Sequence, residues 1–186
     1  MAAEQSSNAE LLEIVAAAEP IARQLQALRQ GTRPVAFSHV VAAARSFLVA
    51  LIAGKIPKTL WVICPNARTQ ELLHESLTNW RPDALFLPEA EFLGVENILP
   101  DQEIAAERLA LLSRVEESNR PQVIVATRAS LDQPAPRRGL LRATALRLRR
   151  AASQPLERLV DSLGEAGYER VAQVTTRGQF AVRGGI

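Results

Sequence analysis

Residues 59–65 read Thr59-Leu60-Trp61-Val62-Ile63-Cys64-Pro65, and their reading decides the fold class. The apolar run is too short for a buried helix and is bounded by Pro57 and Pro65. It predicts a short strand over Thr59–Ile63, covered on both faces as in a parallel sheet. A second run of the same kind, Val123-Ile124-Val125-Ala126, predicts another strand further along. Between them Asn66 can cap a helix to about Trp80, with Leu72, Leu73 and Leu77 facing inward. Ala84-Leu85-Phe86-Leu87 predicts a strand, Pro88–Gln102 a loop, and Glu103–Glu117 a helix carrying Ile104, Leu109, Leu112 and Val115. Strands alternating with helices predict an α/β domain, a parallel sheet flanked by helices.

Working upstream, Pro34-Val35-Ala36-Phe37 predicts a further strand. Ser38 is the expected cap of a helix over His39–Ala53, stopped by Gly54. Ser7 and Glu10 have capping-box spacing, so an N-terminal helix is expected after them, with Leu11, Ile14, Val15, Ile21, Leu25 and Leu28 on its apolar face. Pro20 breaks or kinks that helix and Gly31 ends it.

Downstream, Pro134-Ala135-Pro136 coincides with a change in charge and sets an expected domain edge, 1–136 against 137–186. The second part predicts a strand over Thr144–Leu148 and a helix over Pro155–Ala166 ended by Gly167. Two strands, Glu169–Thr175 and Gln179–Arg183, should flank a turn at Thr176-Arg177-Gly178, where glycine allows a positive φ. This is a partial α+β domain, and residue 186 falls in or just after a strand, so the domain is expected to be incomplete.

Composition sets outer bounds. The chain has 186 residues, 47% hydrophobic and 23% charged, ordinary for a folded soluble protein of one domain and part of another. Aromatics are 4%, so aliphatic side chains must build the core. Net charge is +2, but Arg137, Arg138, Arg142, Arg147, Arg149 and Arg150 fall in one run without an acid. That run is either a solvated strand and loop or a site for phosphates or an acidic partner. The N-terminus lacks the basic start and apolar core of a secretory signal. No apolar stretch reaches the ~18 residues of a membrane span. One cysteine cannot form an internal disulfide, so a cytoplasmic location without membrane contact is expected.

Catalytic equipment is missing from the residues. The corner Phe37-Ser38-His39-Val40-Val41-Ala42-Ala43-Ala44-Arg45-Ser46 stands where a nucleotide-binding domain carries its phosphate loop. Such a loop needs glycines for close backbone approach, a lysine for the β- and γ-phosphates and a hydroxyl for magnesium. No glycine lies between Gly31 and Gly54, and Arg45-Ser46 is only an echo of Lys-Thr. Cys64, His39 and His74 are too few for a Cys/His zinc site. Cys64 ends an apolar run, which suits a buried inert thiol. Ser38 and His39 are sequence neighbours and so point apart. Glu89, Glu91, Glu96, Asp101 and Glu103 lack metal-loop spacing and read as a solvated acidic loop, with Arg108 placed to pair with Asp101 or Glu103. The expectation is no catalytic residue, no cofactor and no metal.

The C-terminal run carries a resemblance. Gly167-Tyr168-Glu169-Arg170-Val171-Ala172-Gln173-Val174 and Gly178-Gln179-Phe180-Ala181-Val182-Arg183-Gly184-Gly185 closely resemble the Gly-Tyr-x-Arg-Val-x-Gln-Val and Gly-Glu-Phe-Ala-x-Arg-Gly-Gly signature of the transcription-repair coupling factor family. Leu87-Pro88-x-x-Glu91, Pro100-Asp101 through Arg108-Leu109, and Ile124-Val125-Ala126-Thr127-x-Ala129-Ser130-Leu131 follow the family's order. The resemblance implies a module similar to excinuclease B (UvrB-like), helicase-like in fold with a degenerate, non-hydrolysing nucleotide site. It also implies an inserted α+β domain, beginning near Arg137, that binds excinuclease A. The whole family protein is an ATP-dependent DNA translocase that meets RNA polymerase and DNA through regions this sequence does not contain. This chain alone would be no enzyme.

Carried over by position, the partner-binding arginines are Arg170 and Arg183. The excinuclease B version has another arginine where Ala181 stands, and the coupling factors have Glu where Gln179 stands. A guanidinium on a strand can grip a partner carboxylate through two bonds. Either arginine could instead support a turn or pair internally. Period-2 alternation puts Phe180 and Val182 on the core face and Arg183 outward. Two alternatives stand beside this: a fragment of excinuclease B, which the missing Gly-Lys-Thr disfavours, and a basic DNA-binding module built on the arginines of 137–150.

Overall fold

The computed structural model describes residues 2–31, 34–90, 102–146, 148–150 and 153–183, with the side chains of 2–6 left aside. Helix α1 (Ala2–Ala17) and helix α2 (Glu19–Gln30) replace the single kinked N-terminal helix. The helix starts upstream of the expected cap, so Ser7 lies within it; Ala2, Ala3, Glu4 and Gln5 are good helix formers and extend it. Pro20 enters α2 in its first turn, where its missing N–H costs nothing, and Gly31 closes α2 at φ 65°. Leu11 and Ile14 are exposed, while Leu12, Val15 and Ile21 pack around Ala16, Leu25 and Leu51. The inward stripe is therefore rotated from the expected one.

Residues 34–38 are extended but form no strand. Ser38 caps nothing, and His39 takes a left-handed φ of 61°. A 3-10 turn at Ala42–Ala44 leads into helix α3 (Arg45–Lys55). Helix α3 thus begins well after the expected residue 39 and runs through Gly54. It stops at Ile56 (φ −111°, ψ 110°), the conformation that Pro57 favours in the residue before it.

Three parallel strands form the main sheet in the order β1 (Leu60–Cys64), β3 (Val123–Thr127), β2 (Leu85–Phe86). Leu60 pairs with Val123 and Cys64 with Thr127; Leu85 pairs with Ile124. Strand β3 is central and buried along its whole length. Strand β1 is an edge, and its burial alternates: Trp61 and Ile63 are 41% and 50% exposed. The two-sided cover expected of residues 59–63 is absent: the face carrying Trp61 and Ile63 is open, and no described strand lies on the outer side of β1.

Helix α4 (Ala67–Thr78) starts as expected, with Asn66 Oδ1 accepting from the Thr69 N–H at 2.9 Å. Leu77 is fully buried and Leu73 packs on the core, whereas Leu72 is 58% exposed. Gln70 on α4 is buried and donates to the carbonyls of Leu87 (2.8 Å) and Val125 (2.9 Å), joining the helix to the ends of β2 and β3. Ala50, Cys64, Leu77, Ala84, Val123 and Val125 form the core beneath the sheet. A one-turn helix α6 (Arg128–Asp132) follows β3, held by a reciprocal cap between Thr127 and Ser130.

The chain divides into two compact units, one of residues 1–89 and 117–134, the other of 90–116 and 135–186. The second unit contains helix α5 (Gln102–Glu117, except its last residue), helix α7 (Leu140–Thr144), helix α8 (Leu156–Glu165) and strands β4 (Glu169–Arg170) and β5 (Gln179–Phe180). On α5 the buried positions are Arg108 and Leu111, while Leu109 is exposed. The strand expected over 144–148 is not formed at its described residues. Gly139, at φ 84°, instead starts α7, and the chain leaves it as coil. Strands β4 and β5 pair in parallel, so the segment between them is a crossover loop and not the hairpin that Thr176-Arg177-Gly178 suggested. Gly178 does carry the expected positive φ, 81°.

Candidate partner-binding site

Helix α8 ends in a tight glycine motif that places the site. The Tyr168 N–H donates back to Leu163 O at 2.9 Å, and the Gly167 N–H to Gly164 O at 3.0 Å. Gly167 takes φ 84°, a conformation open to glycine, and turns the chain off the helix axis. Strand β4 begins two residues later, bringing Arg170 beside Phe180 of β5. The Glu169 N–H donates to Gly178 O at 2.8 Å and the Val171 N–H to Phe180 O at 2.9 Å. Arg170 and Phe180, as register partners, lie on one face, with Glu169 and Gln179 on the other. Arg183 follows β5 by three residues.

Arg170 thus lies on the small two-stranded element and Arg183 on the coil that follows it, and both are exposed. Neither forms an ion pair among the described residues. Tyr168 and Val174 are exposed nearby in sequence, at 44% and 49%. Phe180 and Val182 are half-buried, short of the core positions expected, because β5 is two residues long and sustains no alternation.

Gln179 organises the loop between the strands. Its Oε1 accepts from the Thr175 N–H (3.1 Å), the Thr175 hydroxyl (3.1 Å) and the Thr176 N–H (3.3 Å). Its Nε2 donates to the Glu169 carboxylate at 3.2 Å. A glutamate in its place could accept as Gln179 does but could not donate to Glu169. The sequence discloses only the missing charge at this position. The amide is in use, and no local pattern signals partners that lie four and ten residues away.

The corner at residues 37–46 carries an open groove of about 710 Å³ against β1, bounded by Phe37, His39, Arg45, Val62, Cys64 and Leu73. Its walls are mostly apolar, and side chains occupy the positions where a phosphate loop would need bare backbone. Ser46 is buried in α3. Cys64 is buried; removal from water pushes its thiol above the ordinary value, and the Arg45 guanidinium pulls it partly back. A raised pKa leaves little thiolate, the opposite of a nucleophile's requirement. His39 and His74 do not meet: the His74 Nε2 lies 3.1 Å from Ala84 O and its ring packs edge-on against Phe86.

Glu91, Glu96, Asp101 and Arg147 lie outside the described residues. Glu89 accepts a bond from the Thr127 hydroxyl at 3.3 Å, tying the end of β2 to β3. Arg108 is buried, at 7% exposure. No described helix is long and apolar enough to cross a membrane.

No family model matches the chain. Several curated relatives do, among them the following three. A transcription-repair-coupling factor of Bacillus subtilis is 24% identical over 164 residues, 87% of this chain and 14% of the relative. One of Mycobacterium bovis is 29% identical over 183 residues, 95% of this chain and 14% of the relative. One of Escherichia coli is 27% identical over 145 residues, 77% of this chain and 12% of the relative. The chain thus spans about one seventh of the length of these relatives, or somewhat less. Over most of its length, the chain is similar in sequence to the transcription-repair-coupling factors.

Proposed function

We propose that this chain is a partner-holding module for transcription-coupled DNA repair, capturing excinuclease A through Arg170 and Arg183. The observation that carries the reading is the similarity to coupling factors over 77–95% of the chain. Two exposed guanidiniums, Arg170 on the β-pair and Arg183 on the coil after it, supply the chemistry, since each can make bidentate bonds to a partner carboxylate. Exposed Tyr168 adds an aromatic of the kind enriched in interfaces.

In this reading residues 1–136 are a degenerate helicase-like domain and 137–186 begin the partner-binding domain. The chain works in the cytoplasm, where a lone buried thiol stays reduced. It has no ATPase activity of its own, because the corner at residues 37–46 lacks glycines and the Gly-Lys-Thr of a phosphate loop. Polymerase release and translocation belong to other parts of the longer protein.

The test is capture of purified excinuclease A by the immobilised chain. Arg183→Ala and Arg170→Glu should each weaken capture by roughly tenfold or more, the loss expected for a charged bond at an interface. Circular dichroism of both variants should match the parent. Undiminished capture by both variants removes the site assignment, and no capture by the parent removes the function.

A further inference from the structure

The segment from Gln133 to Leu156 contains six arginines and no acidic residue. Arg137, Arg138, Arg142, Arg149 and Arg150 are all exposed, and none forms a side-chain ion pair or hydrogen bond among the described residues. Elsewhere among the described residues some cations are matched, Arg23 with Glu19, Lys55 with Glu13 and Arg128 with Asp132, while Arg170 and Arg183 are not. One acid that reaches the segment, Glu116, spends its carboxylate on the Gly139 backbone N–H and leaves the guanidiniums free. Gly139 then turns the chain into α7, so Arg142 stands on a one-turn helix and Arg149 and Arg150 on irregular backbone.

We propose that this segment is a duplex-DNA contact that grips the phosphate backbone without reading sequence. Unpaired guanidiniums at this density fit a polyanion of regular charge, and neutralising its phosphates releases counterions. The segment from residue 133 to 167 has no Phe, Tyr or Trp. It therefore offers no platform on which unpaired bases could stack, which separates it from single-strand binders. Its described arginines sit on short, irregular backbone and not on a long helix or ribbon fit for a major groove. The site is separate from Arg170 and Arg183, so it adds a DNA handle to a module proposed to hold a protein.

The experiment is fluorescence anisotropy of the whole chain with a labelled duplex of unrelated sequence, titrated from about 50 to about 200 mM salt. The logarithm of affinity should fall linearly against log salt with a slope of about −4 to −5, from about five phosphates at −0.9 each. Replacing Arg137, Arg138, Arg142, Arg149 and Arg150 by Gln should weaken binding at least about tenfold at the low-salt end. The same positions as Lys should retain it, and each single Arg→Gln change should flatten the slope by about 1. Arg170→Gln with Arg183→Gln should leave duplex binding in place, so this proposal and the excinuclease reading fail separately. Equal binding by the five-Gln variant overturns the proposal. So do absence of binding at low salt, preference for single strands, and tighter binding to phosphatidylserine vesicles, which exposed Leu146 and Leu148 would favour.

Discussion

Gln179 shows how one side chain can carry a loop. Its amide accepts three bonds from Thr175 and Thr176 and donates one to Glu169. Gln179→Glu removes the donor and sets a carboxylate against Glu169. The variant should lose about 0.5–1 kcal/mol at neutral pH. The loss should shrink in about 1 M salt, where the screening length falls to about 3 Å. Urea unfolding of parent and variant at low and high salt checks this; an equal loss at both would mean that charge plays no part. Cys64 gives a second prediction at this scale. Burial raises its pKa above the ordinary thiol value, so the folded state holds the proton more tightly than the unfolded chain. Its contribution is fully present below the unfolded pKa of about 8.5 and is lost as pH rises through the folded value. Cys64→Ala should therefore show a flatter decline in stability than the parent above about pH 8.5, whatever its stability at neutral pH. Parallel alkaline declines would refute a buried neutral thiol.

Elements whose signals are local were legible in the sequence. Asn66 announced α4 because its side chain bonds three residues ahead, within reach of any local reading. Strand β3 was legible because a central parallel strand is apolar throughout. The misses share one cause: a strand exists only where another strand meets it. Residues 34–37 have strand composition but no ladder partner, and Thr144–Leu148 likewise. Gly178 disclosed its positive φ but not that β4 and β5 run parallel. Gln70 could not be read at all, since its partners stand 17 and 55 residues away. Of the candidate site, Arg183 is exposed as expected, whereas the placing of Arg170 by the glycine turn after α8 required the fold. That turn can be tested. Nothing lies within 4 Å of a Cβ built on Gly167, so Gly167→Ala meets only backbone strain at φ 84°. It should cost about 1 kcal/mol, and Gly167→Asn less. Chemical denaturation with an unchanged m-value checks the pair. An alanine variant as stable as the parent would mean that α8 can end without its left-handed residue.

At the scale of the whole molecule, the decisive matter is what the chain does not hold. A ligand that binds only the folded state stabilises it by RT ln(1 + [L]/Kd), about 2.7 kcal/mol at one hundred times Kd. In a protein of this size each kcal/mol moves the melting temperature by roughly 2–4 °C. Millimolar Mg-ATP would therefore raise the melting temperature by several degrees even for a nucleotide site of only ~10 µM affinity. The corner at 37–46 has the left-handed residue such a loop requires, but it is His39, with a side chain, followed by Val40 and Val41. The space beside it is mostly apolar, bounded by Phe37, Val62 and Leu73, with Arg45, Thr69 and Ser76 as polar exceptions that stand without a glycine-rich backbone. The expected outcome is no shift of the melting temperature with Mg-ATP or Mg-ADP and no phosphate release over hours. A shift of several degrees would place a nucleotide on the folded chain and overturn the reading of this domain as a scaffold. A shift that survives Arg45→Ala would put it away from the corner altogether.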